Sequence, residues 1–191
     1  MRPVLIAMCG LGFAGKSVLA KSLSEELDIR LLSYDFDIYP VYRHHVPPGL
    51  PVAAEYDFVQ DIARREIGAI LAVGEPLIYD DLLLERDDRS KLAAVTHAHG
   101  AGFVLVYLDT PLAVINQRRA ENTRTRARTS PSDAKMRLDA SLLEPPDRAE
   151  QAIYVRPVDA VADIVARIRS RFPPSEPVGL RRAQPQPHYR G

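Results

Sequence analysis

Short apolar runs alternate with longer amphipathic stretches along most of this 191-residue chain. Several of the apolar runs are continuous rather than alternating, which is typical of a parallel sheet covered by helices on both faces. Five runs predict β-strands, at Val4–Cys9, Arg30–Tyr34, Pro76–Tyr79, Phe103–Leu108 and Ala152–Val155. The stretches between and after them predict helices near residues 16–27, 55–73, 87–99, 111–122, 133–143 and 159–171. This order predicts an α/β fold with three layers and ligand sites at the carboxyl ends of the strands.

Two segments depart from this alternation. Residues Tyr39–Pro51 are rich in proline and predict an irregular loop beyond the second strand. Residues 173–191 carry five prolines among scattered polar residues, and this composition predicts a disordered tail after a single domain at 1–172. Thr110 followed by Pro111 predicts a helix N-cap with proline at the first helical position.

The segment Gly10–Ser17 reads G-L-G-F-A-G-K-S and matches the phosphate-binding loop G-x-x-x-x-G-K-[S/T]. It follows a predicted strand and precedes a predicted helix, which is the context this motif requires. Glycines let the backbone N–H groups wrap around a polyphosphate, while the helix directs its positive end towards the same anion. Lys16 is expected to reach the β and γ phosphates, and the Ser17 hydroxyl to ligate Mg²⁺. We therefore predict an ATP–Mg²⁺ site at Gly10, Gly12, Phe13, Ala14, Gly15, Lys16, Ser17 and Val18.

Composition and charge narrow the classes of partner. Lys+Arg and Asp+Glu both number 25, so there is no global basic field, and a nucleic-acid substrate is not expected although it stays open. The single cysteine, Cys9, is predicted to be a small buried side chain, which fits a reducing cytoplasm. No apolar run approaches the roughly 20 residues of a membrane-spanning helix. We expect a cytoplasmic monomer or homodimer.

Two acidic pairs follow predicted strands. Asp35 and Asp37 come after the second strand, and a strand-like backbone would place both carboxylates on one face at the mouth of the cleft. A kinase needs such a carboxylate to orient the attacking hydroxyl and accept its proton. Asp80 and Asp81 close the third strand, where an acid holds Mg²⁺ directly or through water. Asp80 is the preferred metal ligand, and the alternative is that one of the pair accepts a hydrogen bond from the substrate.

Arginines cluster at the end of the fourth long helix, at Arg118, Arg119, Arg124, Arg126 and Arg128. Planar guanidinium groups suit the negative charge that builds on a transferring phosphoryl group. Arg118 and Arg124 are the predicted nucleotide contacts, and Arg118 is also a predicted catalytic residue.

These residues resemble the P-loop kinases of the adenylate-kinase-like superfamily. Within it the chain resembles most the small AAA-type predicted-kinase family that includes polynucleotide 5′-hydroxyl kinase domains, over roughly residues 3–150. The matching motifs are Ser33-Tyr34-Asp35, Asp80 followed by Arg86 or Arg89, Arg118, and Glu144-Pro145-Pro146. The resemblance implies the strand order 2-3-1-4-5, a small arginine-bearing lid at about 119–140, and Asp35 as general base.

The chain departs from that family at two positions. Ile38 stands where an arginine usually clamps a substrate phosphate, and Asn122 stands where a second lid arginine is expected. Together with the zero net charge, the missing clamp favours an uncharged small hydroxyl compound over a polynucleotide. The Asp35-x-Asp37 arrangement also resembles shikimate and sugar-acid kinases and antibiotic-modifying phosphotransferases.

Three functions follow as hypotheses. The first is an ATP–Mg²⁺-dependent kinase of a small molecule, with Asp35, Asp37, Lys16 and Arg118 as catalytic residues and Ser17 and Asp80 at the metal. The second is a nucleotide or polynucleotide 5′-hydroxyl kinase. The third, from another class, is an ATP-binding switch protein with slow hydrolysis.

Overall fold

The centre of the structure is a parallel sheet of five strands in the order β2-β3-β1-β4-β5. The structure, a computed structural model, describes residues 3–126 and 130–172, without the side chains of residues 52 and 53. The strands are β1 (Val4–Cys9), β2 (Arg30–Ser33), β3 (Leu77–Asp80), β4 (Gly102–Leu108) and β5 (Ile153–Val155). The predicted α/β class, parallel pairing and strand order are confirmed. The predicted tail at 173–191 and Arg128 lie outside the described residues.

Seven α-helices surround the sheet within this part of the chain. They are α1 (Lys16–Leu27), α2 (Tyr39–Tyr42), α3 (Val52–Ala72), α4 (Arg86–Ala98), α5 (Leu112–Thr125), α6 (Asp133–Leu142) and α7 (Val161–Arg171). All six predicted helices are present, with ends shifted by up to three residues. None of these helices is long and apolar enough to cross a membrane.

Side chains of the strands alternate between two cores, so a continuously apolar strand is buried on both faces. In β1, Leu5, Ala7 and Cys9 pack with α3 and α4, whereas Val4, Ile6 and Met8 pack with α1 and α7. Cys9 is buried, as predicted. The sheet is thereby the middle of three layers.

Parallel pairing brings the carboxyl ends of neighbouring strands to one edge of the sheet. Ala7 of β1 is aligned with Tyr79 of β3, and Cys9 with Tyr107 of β4. Just beyond β1, the Gly10 N–H donates to the Leu82 carbonyl at 2.9 Å. The segments that follow β1 and β3 therefore meet directly.

The segment after β2 corrects one prediction. Residues Tyr34–Ile38 form a turn of π-helix, followed by α2 and a 3-10 turn at Arg43–His45, so the predicted strand-like backbone is wrong. The Asp37 carboxylate accepts a hydrogen bond from the Ser33 N–H at 2.7 Å. This bond satisfies a free donor at the start of the helical segment, where a negative charge is also favoured. The predicted irregular loop is confined to the part of Tyr39–Pro51 that follows the 3-10 turn.

The start of α5 corrects a second prediction. The helix begins at Leu112 with Pro111 as N-cap, rather than with Thr110 in that position. The Thr110 hydroxyl instead donates to the Ala14 carbonyl at 3.0 Å. A residue predicted to cap a helix thus supports the phosphate-binding loop from the neighbouring strand end.

Candidate active site

The loop between β1 and α1 has the backbone shape that a phosphate cradle needs. Gly10 and Gly15 have φ values of 134° and 110°, in the left-handed region where a side chain is strained. A Cβ added to Gly15 would lie 3.2 Å from a guanidinium nitrogen of Arg118, so the glycine also permits this close approach. Gly15 is the N-cap of α1, which leaves the N–H groups of its first turn available to an anion.

Lys16 is buried beneath this loop and donates to the Leu11 carbonyl at 2.8 Å. Burial lowers the pKa of its ammonium group, while the carboxylates of Asp80 and Asp81 oppose that shift. An anionic phosphate placed beside the same group would oppose it further, because opposite charges favour the charged form. Lys16 is therefore held where a phosphate can bind it.

A cavity of about 690 Å³ opens above the loop at the carboxyl edge of the sheet. Most of the predicted site residues line it together: Gly12, Phe13, Ala14, Gly15, Lys16, Ser17, Val18, Asp35, Asp80 and Arg118. Gly10 does not line it, and its N–H donates to the Leu82 carbonyl. The cavity thus brings together groups from the segments after β1 and β2, from the end of β3 and from α5, which are far apart in sequence.

The acidic residues at the cavity divide into an exposed group and a buried pair. Asp35 is exposed, whereas Asp80 and Asp81 are 6% and 7% exposed at the end of β3. Asp80 lines the cavity together with Ser17 of α1. A hydroxyl oxygen and a carboxyl oxygen are ligand types that Mg²⁺ takes beside phosphate oxygens and water.

Asp81 is held by three donors. Its Oδ2 accepts hydrogen bonds from Gln60 Nε2 at 2.6 Å and from the Tyr79 hydroxyl at 3.3 Å, and its Oδ1 accepts one from the Leu82 N–H at 2.7 Å. Gln60 Nε2 also donates to the Tyr56 hydroxyl at 2.8 Å. Burial raises the pKa of the Asp81 carboxyl to about 6, against the opposing effect of these hydrogen bonds.

Asp37 does not share a face with Asp35. Its carboxylate is occupied by the Ser33 N–H and borders a separate small cavity beside Arg30 and Glu66. In a helical backbone, residues two apart point to nearly opposite sides, which is why the pattern expected for a strand fails here. The structure places only Asp35 of this pair in the main cavity.

Arg118 lies directly over the phosphate-binding loop. Its Nη1 donates to the carbonyls of Phe13 and Ala14, at 3.1 and 2.6 Å. One turn of α5 further on, Asn122 also lines the cavity, together with Glu121 and Thr125. The position expected to carry a second lid arginine therefore does face the site, but with an amide side chain.

The other described arginines of the cluster point elsewhere. Arg124 pairs with Glu121, its side chain is 76% exposed, and it is not among the residues that line the cavity, so its contact with the nucleotide stays a prediction. Arg119 is bound by Asp133 of α6 and by the Pro131 carbonyl. A helix distributes neighbouring residues around its axis, so only one of these arginines reaches the loop.

The far end of the cavity was not anticipated from the sequence. Arg156, Pro157 and Asp159, just after β5, line it, and Arg156 is paired with Asp159 at 3.1 Å. The sequence did offer a way to find this segment, because it follows the last predicted strand and ligand sites of parallel sheets lie at the carboxyl ends of the strands.

Apolar side chains of the loop join it to α5 and α6. Leu11 and Phe13 are buried in a small cluster with Ile115 of α5, and Met136 of α6 packs against that cluster. The Met136 sulfur would lie 3.5 Å from a Cβ placed on Gly12. These contacts seat α6, within the predicted lid, directly against the loop.

Comparison with known protein families assigns this chain to one of them. The model of an AAA domain family, AAA_33, matches residues 5–145, and the chain belongs to this family. A search of curated proteins found no significant match.

Several solved structures share the fold. A gluconokinase from Sinorhizobium meliloti superposes with a TM-score of 0.64 at 21% identity, covering 89% of this chain and 95% of that one. The Mycobacterium tuberculosis APS kinase, solved with AMPPNP and APS, gives 0.62 at 15% identity, covering 88% and 96%. Kti12 of Chaetomium thermophilum, solved with ADP-AlF3, gives 0.70 at 15% identity, covering 87% and 97%. The chain therefore has a kinase-like P-loop NTPase fold.

Proposed function

We propose that this member of the AAA_33 family is an ATP-dependent kinase that transfers the γ-phosphoryl group to a hydroxyl of a small molecule. The observation that carries the proposal is the position of Asp35. This residue lines the same cavity as Lys16 and the loop glycines, from the segment that follows β2. A carboxylate at this place can orient an attacking hydroxyl and accept its proton.

The roles follow from the chemistry of each group. The acceptor oxygen forms a bond to the γ-phosphorus as the bond from that phosphorus to the β,γ-bridging oxygen breaks, and ADP leaves with that oxygen. Asp35 orients the acceptor hydroxyl and takes its proton. Lys16 and Arg118, which bracket the loop, neutralise charge on the phosphoryl oxygens. The segment after β5 borders the end of the cavity that would take the nucleoside.

The donor set fits Mg²⁺ bound with the nucleotide. Ser17 and Asp80 line the cavity beside the loop, and they are the residues that would hold the ion. When bound, Mg²⁺ supplies charge neutralisation on the phosphate oxygens. The lid at about 119–140 and the domain extent of 1–172 are part of the same proposal.

The test uses γ-labelled ATP with fractionated small molecules from a cell extract, followed by identification of the labelled product. Transfer by the wild type is expected to fall by at least about a hundredfold in Asp35→Asn, since general-base catalysis contributes about 10² to 10⁴ in rate. Binding of ATP is expected to be unchanged, because Asp35 faces the acceptor rather than the loop. A matched control is Asp61→Asn, an exposed carboxylate of α3 that lies outside the cavity.

Two results would remove the proposal. One is transfer by Asp35→Asn at the wild-type rate. The other is phosphate released only to water with every fraction, which would favour the ATP-dependent switch. Labelling of an oligonucleotide 5′ end would instead favour the polynucleotide kinase alternative.

A further inference from the structure

The proposed reaction assigns no role to Asp81, although this residue lies in the active-site cavity. It is a buried carboxylate that lines the cavity together with Asp35. Its orientation is locked by Gln60, Tyr79 and the Leu82 N–H. A carboxylate oxygen can accept two hydrogen bonds, and Oδ1 receives one of these three donors, so it keeps capacity for a further donor. A rigid, ionisable acceptor aimed into a cavity is suited to recognising a ligand.

Three tyrosine rings, those of Tyr34, Tyr39 and Tyr56, pack together close to the residues that hold Asp81. The ring of Tyr34 packs on Tyr39 and Tyr56, with centroid distances of 6.0 and 5.6 Å. The Tyr34 hydroxyl is buried and has no hydrogen-bond partner in the part of the chain that the structure describes. Burial raises the pKa of this phenol, and the negative charges of Asp81 and Asp35 raise it further. Tyr56 is connected to Asp81 through Gln60, so these rings support the carboxylate without lining the cavity themselves.

The negative charge beside Asp35 and Asp81 disfavours an anionic acceptor. Ile38, at the family's phosphate-clamping position, is 2% exposed and packs in the core. Lys16, Arg118 and Arg156 line the cavity, but their partners are the loop carbonyls and Asp159. Within the described part of the chain, an anionic acceptor beside Asp35 and Asp81 would therefore meet no cavity-lining cation that lacks such a partner. Like charges brought together in this way oppose binding.

We propose that Asp81 is a specificity-determining residue, and that it pairs with Asp35 to hold a polyhydroxylated acceptor that carries no anionic group. Asp35 takes the reacting hydroxyl, and Asp81, held in place by Gln60, accepts a hydrogen bond from a second hydroxyl or an ammonium group. This inference rests on the proposed function, because it assigns the acceptor of the same reaction.

A matched series of acceptors tests the charge rule on the wild-type protein. D-glucitol, D-glucamine and D-gluconate share a six-carbon polyol chain and differ only in a neutral, cationic or anionic group at one end. Transfer from labelled ATP, and binding in the presence of AMPPNP by calorimetry, are measured for each. We expect glucamine and glucitol to be favoured over gluconate by at least about tenfold, which corresponds to roughly 1.4 kcal/mol.

Asp81→Asn tests the assigned residue. The amide keeps the shape of the side chain and the hydrogen bond to the Leu82 N–H, and the Gln60 amide can turn over to match it. We expect KM for the favoured acceptor to rise about ten- to hundredfold, with KM for ATP unchanged, since a hydrogen bond to a charged group is stronger than one to a neutral amide. The preference over gluconate is expected to shrink, whereas a purely structural role would lower activity with all three acceptors alike. Asp61→Asn is the matched control.

The possible results distinguish a wrong assignment of the acceptor site from a wrong assignment of the kinase function. Equal use of the three acceptors, a preference for gluconate, or no binding and no transfer of any of them overturns the assignment. A normal preference in a folded Asp81→Asn variant overturns the role of Asp81. Binding in the expected charge order without transfer supports the acceptor site and removes the kinase function instead. If Asp81→Asn does not fold, Asp81→Ser and the wild-type charge order decide the question.

Discussion

Replacing Arg89 by alanine is expected to destabilise the protein far more than any exposed arginine would. Arg89 is 2% exposed at the start of α4 and forms two hydrogen bonds to the Glu150 carboxylate, at 2.6 and 3.0 Å. Its Nη1 also donates to the carbonyls of Leu83 and Leu84, at 3.1 and 2.8 Å. The residue thus joins the segment after β3 to the segment that precedes β5.

The magnitude follows from what the variant leaves behind. The side chain of Glu150 is 14% exposed and would lose its only ion pair among the described residues. Breaking a buried pair by removing one partner costs about 3–5 kcal/mol. For a domain of this size, 1 kcal/mol moves the melting temperature by about 2–4 °C. We therefore expect Arg89→Ala to lower the melting temperature by roughly 6–20 °C.

The assay is thermal and urea unfolding followed by far-ultraviolet circular dichroism, because the chain has no tryptophan. Arg86→Ala is the matched control on the same helix, since its pair with Asp147 has side chains that are 57% and 45% exposed. An exposed pair of this kind contributes about 0–1 kcal/mol. The double variant Arg89→Met with Glu150→Gln should recover part of the loss, because no buried charge is left unpaired. The reasoning is refuted if Arg89→Ala melts within about 2 °C of Arg86→Ala.

Two further predictions concern the phosphate-binding loop and its surroundings. Burial raises the pKa of the Cys9 thiol from 9.0 to about 12. At pH 8 the native protein is therefore expected to react with Ellman's reagent about a thousandfold more slowly than the unfolded protein, and equal rates would contradict this. Because the folded state favours the neutral thiol, the stability that it contributes is lost as the pH rises from 9 towards 12. Thr110→Val removes the donor to the Ala14 carbonyl, which keeps its bond from Arg118, so we expect a loss of about 1 kcal/mol in urea unfolding and a higher KM for ATP with KM for the acceptor unchanged. An unchanged KM for ATP together with unchanged stability would argue against a supporting role for Thr110.

Features set by local sequence were predictable. The apolar runs and their spacing determine the five strands and the long helices, because each element must bury one face or both. The sequence Gly10–Ser17 predicts a phosphate-binding loop, because the motif specifies which positions need glycine, and the positive φ values at Gly10 and Gly15 agree with it. The strand order and the placing of Asp35 and Asp80 at one edge followed from the resemblance and the parallel pattern.

Only the tertiary structure decided which side chains of each cluster reach the cavity. Asp37 turns away because its carboxylate satisfies the Ser33 N–H, and Arg124 turns away because the axis of α5 is set by the packing of Ile115. The roles of Asp81 and Arg89 depend on Gln60 and Glu150, partners that are 21 and 61 residues away in the chain. The sequence by itself thus determined that this protein forms a nucleotide-binding α/β domain. The tertiary structure decided which carboxylate and which arginine face the site, because side-chain direction depends on contacts between residues distant in the chain.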